Sequence, residues 1–289
     1  MTHEKGAAAM IDYHIHLENG PYTLEWLEEF WRQAQKQGIR EIGITEHCHK
    51  FSEFYPMFAP LTEGEGSYQY MRDWITQDFQ HDLAQYIELL LNARSAGIPV
   101  KIGLELDYLS GMESVARRII DQYPFDFILG SVHVIGKWGF DFAPDVWEGR
   151  DVNQAYLDYY ATLDQAVDSG LFDIAAHFDL IKVWGQRPDH TLIPALEALV
   201  EGILAKVAAN QLSLELSSAG WRKPVGEQYP ACIIIQRAAD MQIPVTFASD
   251  AHYPWDVGAD WKRLTEIAGR YGYQEYSVYT NRQRISVPL

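Results

Sequence analysis

Short apolar segments recur along the chain, and a polar cluster and then a segment with helical periodicity follow each of them. The apolar segments are rich in β-branched residues and almost continuous in apolar character, which is typical of strands buried on both faces of a parallel sheet. Seven such strands are predicted, at residues 11–15, 41–44, 100–104, 127–129, 173–176, 212–216 and 245–248.

The segments between these strands have the periodicity of amphipathic helices. In "TLEWLEEFWRQAQKQG", Leu24, Leu27 and Trp31 fall on one face, Thr23 is suited to cap the start, and Gly38 is suited to end the helix. Similar patterns occupy residues 68–96, 153–169, 192–210 and 229–241. Strands and helices that alternate in this way predict an α/β fold, either a barrel or an open sheet.

The chain has no obvious internal boundary. No linker rich in Gly, Ser or Pro divides its 289 residues, so one domain is predicted over residues 1–289, with residues 1–9 as a flexible N-terminal tail. The longest irregular stretch, residues 51–67, is aromatic at first and rich in Gly and Glu afterwards. This composition suits a mobile flap over a site and equally suits a packed surface excursion.

Composition narrows the classes of partner and compartment. The chain has 40 acidic and 23 basic residues, a formal charge of −17, which argues against polymeric nucleic acid and anionic membrane surfaces as partners. Its two cysteines, Cys48 and Cys232, do not form a disulfide framework, and the first ten residues lack the apolar core of a signal peptide. We therefore expect a cytoplasmic protein.

Chemically active side chains follow the predicted strands, and seven of the ten histidines lie there. In chain order these side chains are His14 and His16, His47 and His49, Glu105, His133, His177, Glu215 followed by Arg222 and Lys223, and Asp250 with His252. Because the carboxyl ends of parallel strands share one rim, we expect them to converge on one pocket. Imidazole and carboxylate ligands without thiolate suit Zn, Mn or Fe in an open site.

The spacing of these residues adds detail. Residues two apart on a strand face the same side, so His14 and His16 can bind one ion, as can Asp250 and His252. Each pair alone is weak evidence, because a single buried His or Glu commonly hydrogen-bonds to a neighbouring loop. Many desolvated imidazoles and carboxylates packed together without a cation would be costly, which favours a metal centre.

The motifs "DYHIH", "ITEH", "GLE", "GSVH", "AH" and "SDAH" occur in this order and resemble the metal-binding motifs of the PHP (polymerase and histidinol phosphatase) superfamily. The resemblance covers nearly the whole chain. The segments "SVHVIGKWGFDF", "AHFDLIKVWG" and "SSAGWRKPVGEQYP" look like the monofunctional histidinol-phosphate phosphatase branch of that family. Each motif is weak in isolation, and their ordered set carries the resemblance.

The resemblance implies a distorted seven-stranded (β/α) barrel, a TIM-like fold, that holds two to three divalent metal ions (Zn, Mn or Fe). It implies a first ion bound by His14, His16, Glu105 and Asp250, a second bound by Glu105, His133 and His177 with the glutamate bridging, and a third bound by His47 and His252. Family members commonly supply another ligand shortly after the HxH pair. This chain reads "LENGPYT" there, and Glu18 is the nearest substitute.

The resemblance also implies hydrolysis of L-histidinol phosphate to L-histidinol and phosphate in histidine biosynthesis, through a metal-bound hydroxide. Two ions can lower the pKa of the bound water that forms this hydroxide, and they can bind both the attacking and the leaving oxygen. Glu105 and Asp250 are the catalytic candidates, and either Asp250 or a metal-bound water would protonate the leaving alkoxide. The alternatives are a PHP-type phosphoesterase acting on another small phosphate ester or nucleotide, and a non-catalytic metal-binding module.

Three basic side chains are candidates for binding the substrate. Arg222, helped by Lys223, is the predicted phosphate ligand, because a guanidinium fork matches a phosphate edge. The alternative for both residues is a surface pair on a turn. His49 is a further candidate, and it can equally fill space beside His47.

The segment "GKWGFDF" supplies candidates for the rest of the substrate. Trp138 and Phe140 would form an aromatic wall, and Asp141 would face an organic amine. The alternative is that these rings are aromatic core under a loop.

Overall fold

A computed structural model describes residues 10–64, 66 and 68–289 of the protein. Seven parallel strands form one sheet in the order β1-β2-β3-β4-β7-β8-β9. The strands of the chain are β1 (Met10–Ile15), β2 (Ile39–Ile44), β3 (Val100–Asp107), β4 (Phe127–Ser131), β5 (Val134–Ile135), β6 (Trp138–Gly139), β7 (Ile174–Ala175), β8 (Ser213–Ser217), β9 (Val245–Ala248), β10 (Glu275–Thr280) and β11 (Gln283–Pro288). The tail predicted at residues 1–9 lies outside the described residues.

The sheet curls into a nearly closed barrel. Ile15, at the end of β1, pairs in parallel with Ala251, which follows β9. The Ala251 N–H donates to the carbonyl of His14 at 3.1 Å, and the His16 N–H donates to the carbonyl of Ala251 at 2.8 Å. The predicted seven-stranded TIM-like barrel is therefore confirmed.

Helices cover the outside of the barrel. They are α1 (Leu24–Lys36), α2 (Tyr55–Phe58), α3 (Gln69–Gln77), α4 (Leu83–Ser95), α5 (Glu113–Ile120), α6 (Val152–Asp168), α7 (Ile193–Ala209), α8 (Cys232–Asp240) and α9 (Trp261–Arg270). In α1 the side chain of Thr23 caps the start by accepting from the Trp26 N–H, and Leu27, Phe30 and Ala34 are buried. Among the described residues, no helix combines the length and the apolar character needed to cross a membrane.

The segment predicted as one helix over residues 68–96 is two helices, α3 and α4. Asp78 leaves the helical conformation and Phe79 has a φ of 65°, so the chain reverses there. A new helix then begins because the Asp82 carboxylate accepts from the Gln85 N–H at 3.0 Å. The apolar period continues across this break, which is why periodicity alone did not reveal it.

The stretch at residues 51–67 is more regular than predicted. Short 3₁₀ turns flank α2, and Phe51, Phe54 and Phe58 are fully buried. The aromatic half of this stretch is therefore packed against the core rather than free to move as a flap. Glu65 and Ser67, in its Gly- and Glu-rich half, lie outside the described residues.

An irregularity in β1 affects both the core and the rim. Asp12 pairs with Ile42 of β2, and Ile15 pairs with Ile44, so three residue steps on β1 match two on β2. This is a β-bulge, which inserts one residue and re-aims the side chains beside it. Two consecutive residues, Tyr13 and His14, consequently both face the barrel interior.

Aromatic rings fill the amino end of the barrel. Tyr13 of β1 stacks on Phe127 of β4 with ring centroids 4.8 Å apart, and these strands are not neighbours in the sheet, so the stack crosses the interior. Gly43 leaves room for it, because a Cβ there would lie 2.7 Å from the Phe127 ring. The hairpin β10–β11 covers this end: Tyr279 packs on Phe127, and Arg282 pairs with Asp173 at 2.9 Å.

Candidate metal centre

Glu105 of β3 lies at the centre of the opposite, carboxyl end of the barrel and is 1% exposed. Its Oε1 lies 2.8 Å from His177 Nε2 and 3.5 Å from His133 Nε2. Its Oε2 lies 2.6 Å from His47 Nδ1 and 3.4 Å from His14 Nε2. His16 Nε2 also lies 3.6 Å from Oε2. Each carboxylate oxygen therefore faces a different set of imidazoles, which is the arrangement that a bridging carboxylate needs.

The histidines and acids at the rim form three overlapping groups of candidate metal ligands. Within each group the ligand atoms lie within 4.8 Å of one another. The groups are His14, His16 and Asp250; His14, Glu105 and His177; and His16, His47 and His252. Cysteine is absent from all three of these groups of described residues, so the donors are nitrogen and oxygen.

Several of these donor atoms are buried without a hydrogen-bond partner within the described structure. They include the Nε2 atoms of His14 and His16 and the Oε2 atom of Glu105. Buried polar atoms in proteins are nearly always hydrogen-bonded, so unpartnered donor atoms facing one another are a costly arrangement unless a cation binds them. Imidazole and carboxylate donors of this kind fit Zn, Mn or Fe.

Three further carboxylates hold the rings of these histidines from behind. Glu215 contacts His14 Nδ1 at 2.6 Å, Asp107 contacts His133 Nδ1 at 2.7 Å, and Glu46 lies 3.4 Å from His16 Nδ1. Such contacts fix the tautomer of each ring and direct its other nitrogen, Nε2, to the centre.

The sequence contained partial signals for these supporting acids. The pattern of polar residues at strand ends includes Glu215 but gives it no role, and it does not include Glu46 or Asp107. Asp107 lies two residues after Glu105 on the same strand, so a period of two on β3 would have placed both carboxylates on one face. Glu46 precedes His47 directly, and only the tertiary fold shows that it reaches His16.

The backbone is strained at two of the candidate ligands. His177 has a φ of 22° and Asp250 a φ of 54°, a region that residues other than glycine seldom adopt. The Glu215 carboxylate accepts from the His177 N–H at 2.7 Å, and Arg222 donates to the Asp250 carbonyl at 3.3 Å. Strain of this kind is concentrated at functional sites, where neighbouring contacts hold it.

The electrostatics of the centre favour a bound cation. Burial alone would raise the pKa of Glu105, but His14, His47 and His133 outweigh it and hold the pKa well below its ordinary value. The pKa of Asp250 is likewise held well below its ordinary value, against burial, by neighbouring imidazoles that include His14. Both carboxylates are therefore ionised at neutral pH.

The imidazoles respond in the opposite sense. Burial lowers the pKa of His16, but Asp250 and Glu46 outweigh it and raise that pKa to about 9. Asp107 and Glu105 similarly raise the pKa of His133 to about 10 against burial. These rings are protonated at neutral pH when no metal is bound, so positive charge is already attracted to the positions where ions would bind.

Glu18 and His49 lie at the edge of the centre. Glu18 Oε1 is 3.3 Å from His252 Nε2, so the structure places Glu18 beside the third group of candidate ligands. The His49 ring stacks on the His47 ring, and its Nδ1 lies 3.1 Å from Asp78 Oδ2. Of the two roles considered for His49, this packing favours support of His47 over contact with substrate.

A cavity of about 120 Å³ opens onto the centre. The described residues that line it are His47, Glu105, His133, Asp141, His177, Leu180, Val183, Trp184, Lys223, Tyr229, Asp250 and His252. Arg222 is not among them, because its guanidinium donates to the carbonyl of Ser249 at 2.5 Å and to the hydroxyl of Ser218 at 3.2 Å. Lys223, which is predicted only to assist Arg222 in binding phosphate, is the one lysine or arginine among the described residues that line the cavity.

The structure does not bring Trp138 to this cavity. Trp138 is 4% exposed, its indole N–H donates to the carbonyl of Val146 at 3.0 Å, and Arg150 lies over its ring. This is the packed aromatic core that was the alternative for the segment "GKWGFDF". Trp184 provides an aromatic wall instead, while Asp141 does line the cavity as predicted.

Comparison with known proteins extends these observations. The family model described as "PHP domain" matches residues 12–219. A protein of Deinococcus radiodurans described as "Probable histidinol-phosphatase" is 40% identical over 179 residues, which cover 60% of this chain and 66% of that protein. The "Histidinol-phosphatase" of Lactococcus lactis is 25% identical over 279 residues, which cover 93% of this chain and 94% of that protein.

A solved structure has the same fold. The crystal structure of histidinol phosphate phosphatase from Lactococcus lactis, complexed with Zn, L-histidinol and phosphate, matches with a TM-score of 0.73 and 20% sequence identity. The match covers 96% of this chain and 100% of that chain.

Proposed function

The chain belongs to the PHP domain family, and from that premise we propose that it is a metal-dependent phosphatase that hydrolyses L-histidinol phosphate to L-histidinol and phosphate in histidine biosynthesis. The relatives described as histidinol-phosphatases support the hydrolase class predicted from the sequence. The observation that carries the proposal is the contact of the two Glu105 oxygens with separate sets of imidazoles, beside a cavity that Lys223 also lines.

The proposed ligand sets are those that the family resemblance implies, and the three overlapping groups of candidate ligands support them, although those groups also place His14 with Glu105 and His177. A first ion would be held by His14, His16, Glu105 and Asp250, a second by Glu105, His133 and His177, and a third by His47 and His252 with Glu18. Divalent ions such as Zn, Mn or Fe would supply neutralisation of the phosphate charge and a stronger water nucleophile at neutral pH. Glu105 would link two of these ions and keep them at a fixed separation.

Lys223 is proposed to bind the phosphate, since among the described residues that line the cavity it is the one lysine or arginine. Arg222 has a different proposed role. Its donors are taken by Ser218 and by the carbonyls of Ser249 and Asp250, so it fixes the strained loop that carries Asp250. This revises the expectation that the guanidinium itself contacts the substrate.

The pKa of Asp250 also bears on which group protonates the leaving alkoxide. A general acid works best when its pKa lies near the working pH, and the pKa of Asp250 is held well below its ordinary value. Asp250 is therefore better suited to bind a cation than to protonate a leaving alkoxide. We assign that proton to a water molecule in the cavity.

Polar groups that line the cavity suit the organic part of the substrate. Asp141 Oδ1 and the Tyr229 hydroxyl are both buried without a hydrogen-bond partner in the described structure, and both residues line the cavity beside Trp184. A carboxylate and a hydroxyl that lack partners match an ammonium or an imidazole N–H, and an indole ring packs well on a flat heterocycle. This combination favours an amine with a ring over a sugar.

The decisive test is phosphate release from L-histidinol phosphate compared with a panel of sugar phosphates and nucleotides, using protein purified without chelator. We expect kcat/KM on histidinol phosphate to exceed that on the panel by about 100-fold or more, because a site with unpaired polar groups rejects substrates that leave them unpaired. Equal turnover on the generic esters would show that the substrate is wrong. Fewer than about two Zn, Mn or Fe ions per chain, with no activity after metal is added, would rule out the enzyme proposed here.

A further inference from the structure

A largely buried lysine lies beside the third group of candidate ligands. The Nζ of Lys50 is 2.9 Å from Glu18 Oε2 and 2.9 Å from Asp78 Oδ1. The other oxygen of Glu18, Oε1, is 3.3 Å from His252 Nε2. The two oxygens of Glu18 thus face different partners, the first an ammonium group and the second an imidazole of the centre.

The backbone that places Lys50 is the same segment that places His47. The two residues belong to one 3₁₀ turn, in which the Lys50 N–H donates to the carbonyl of His47 at 3.0 Å. The position of the ammonium is therefore tied to the position of a candidate ligand.

Backbone hydrogen bonds and an imidazole contact hold Asp78 in place. It lies at the break between α3 and α4, where the Phe79 N–H donates to the carbonyl of His49 at 2.9 Å and the His81 N–H donates to the carbonyl of Lys50 at 3.0 Å. Asp78 also contacts His49 Nδ1 at 3.1 Å through its second oxygen. Lys50 is consequently anchored by a carboxylate on a backbone segment that two hydrogen bonds tie to residues 49 and 50.

We propose that Lys50, anchored by Asp78, is a positioning residue that holds Glu18 as a one-oxygen ligand of the ion bound by His47 and His252. This inference rests on the metal centre of the proposed function. A glutamate side chain alone has several rotamers, and ordering it costs free energy that weakens any bond it makes to an ion. Lys50 occupies Oε2 and so leaves Oε1 as the oxygen that faces the centre.

The expected magnitude comes from comparable supporting contacts. Groups that orient a metal ligand from behind typically contribute about 10- to 100-fold to metal affinity. Charge alone predicts that Lys50 weakens metal binding, because an ammonium near an ion repels it and competes for the carboxylate. The geometry favours positioning, since Lys50 contacts the oxygen that points away from His252 and leaves the other free.

The test is a metal titration of the full chain with Mn²⁺ or Zn²⁺ against a competing chelator, giving the number of ions bound and the Kd of each. In Lys50→Met we expect the Kd of the weakest ion to rise about 10- to 100-fold while the tighter ions keep their affinities. Lys50→Arg should restore most of the lost affinity, because a guanidinium can also span Glu18 and Asp78. A general loss of structure would not be repaired in this way.

A matched control is available at the other end of the barrel. Lys101 is also largely buried; its Nζ lies 3.4 Å from Glu41 Oε2 and donates to the Thr280 hydroxyl at 2.7 Å. Lys101→Met should leave every Kd unchanged. If Lys50→Met fails to fold, Asp78→Asn provides the second test, with a smaller loss of affinity for the same ion.

Either an unchanged or a tighter Kd for the weakest ion in folded Lys50→Met would overturn the inference, as would a wild-type chain that binds only two ions. A failure of the proposed function would look different. In that case the wild-type chain would show the expected metal binding, with Lys50→Met weakened as described, but would release no more phosphate from L-histidinol phosphate than from other esters.

Discussion

The two ends of the barrel interior are equally buried and are filled by opposite chemistry. At the amino end, the rings of Tyr13 and Phe127 stack, and the Tyr279 hydroxyl and the Arg282 guanidinium nearby both donate to Asp173. At the carboxyl end, His14, His16 and Glu105 are just as inaccessible, yet carry donor atoms without a hydrogen bond in the described structure. Burial alone does not distinguish a core from a site, whereas unsatisfied polar atoms do.

This contrast also separates what each end contributes. Aromatic packing stabilises the fold through buried apolar area and contact density. The polar end costs free energy in the absence of cations, so part of the stability supplied by the amino end offsets that cost. Substitutions at the two ends should therefore have different signatures in activity and in stability.

The largest effect on activity is expected from Glu105→Gln. The amide keeps the shape but loses the charge that faces the imidazoles of His14, His16, His47, His133 and His177. Loss of several kcal/mol of charge stabilisation corresponds to about a 1,000-fold fall in kcat/KM. Steady-state kinetics with metal analysis would measure it. His133→Ala, which removes a single terminal ligand, should cost less; an active Glu105→Gln protein would contradict the bridging role.

Phe127→Ala should give the opposite signature. Removing the ring leaves a cavity between Tyr13 and Tyr279, and such changes typically cost about 3 to 5 kcal/mol of unfolding free energy. Denaturant unfolding would measure the loss. Below the unfolding transition we expect kcat and metal content to stay near those of the wild type, and a large fall in either would show that the two ends are coupled.

Lys223→Met tests the phosphate contact at the rim. Loss of one charged hydrogen bond is worth about 1.5 to 3 kcal/mol, so KM for the phosphate ester should rise about 10- to 100-fold with metal content unchanged. The companion variant Arg222→Ala should affect metal binding at Asp250 more than KM. The reverse pattern would restore Arg222 as the phosphate ligand.

The smallest expected effect is a pH dependence that differs between the metal-free and the metal-loaded protein. The raised pKa values of His16, about 9, and His133, about 10, stabilise the metal-free fold fully below pH about 6.5, and this contribution is lost as pH rises through those values. Metal binding must displace these protons, so below those pKa values the metal affinity should rise about tenfold per pH unit for each proton released.

Calorimetric titrations in buffers of different ionisation enthalpy would count the protons. The difference in Tm between metal-loaded and metal-free protein should widen from pH 6 to pH 9. A Tm difference that stays constant over this range would mean that the imidazoles are neutral in the metal-free protein.

Much of the barrel could be predicted because its strands are buried on both faces and therefore read as continuous apolar segments. The hairpin β10–β11 escaped prediction because β11 is almost entirely exposed and its sequence "QRISVP" has no apolar face that the core requires. The break at Phe79 escaped because the apolar period runs through it.

The candidate site could be predicted less completely than the barrel. The sequence shows the candidate ligands as histidines and acidic residues at strand ends. It does not show that Arg222 donates to the carbonyls of Ser249 and Asp250, because those residues lie 27 and 28 positions away and no local pattern contains the contact. The burial of Trp138 under Arg150 is another such contact. Residue type predicted which groups are available, and only the fold decides which of them face the cavity.

The bulge in β1 has a practical meaning for anyone who would transplant this centre into a designed barrel. With ideal alternation, a chain that aims His14 inward would aim Tyr13 outward, and the ring that underlies the polar layer would be lost. A graft onto a regular scaffold would need one inserted residue at this point of the first strand. Omitting that insertion would force the designer to choose between the floor of the site and its first ligand.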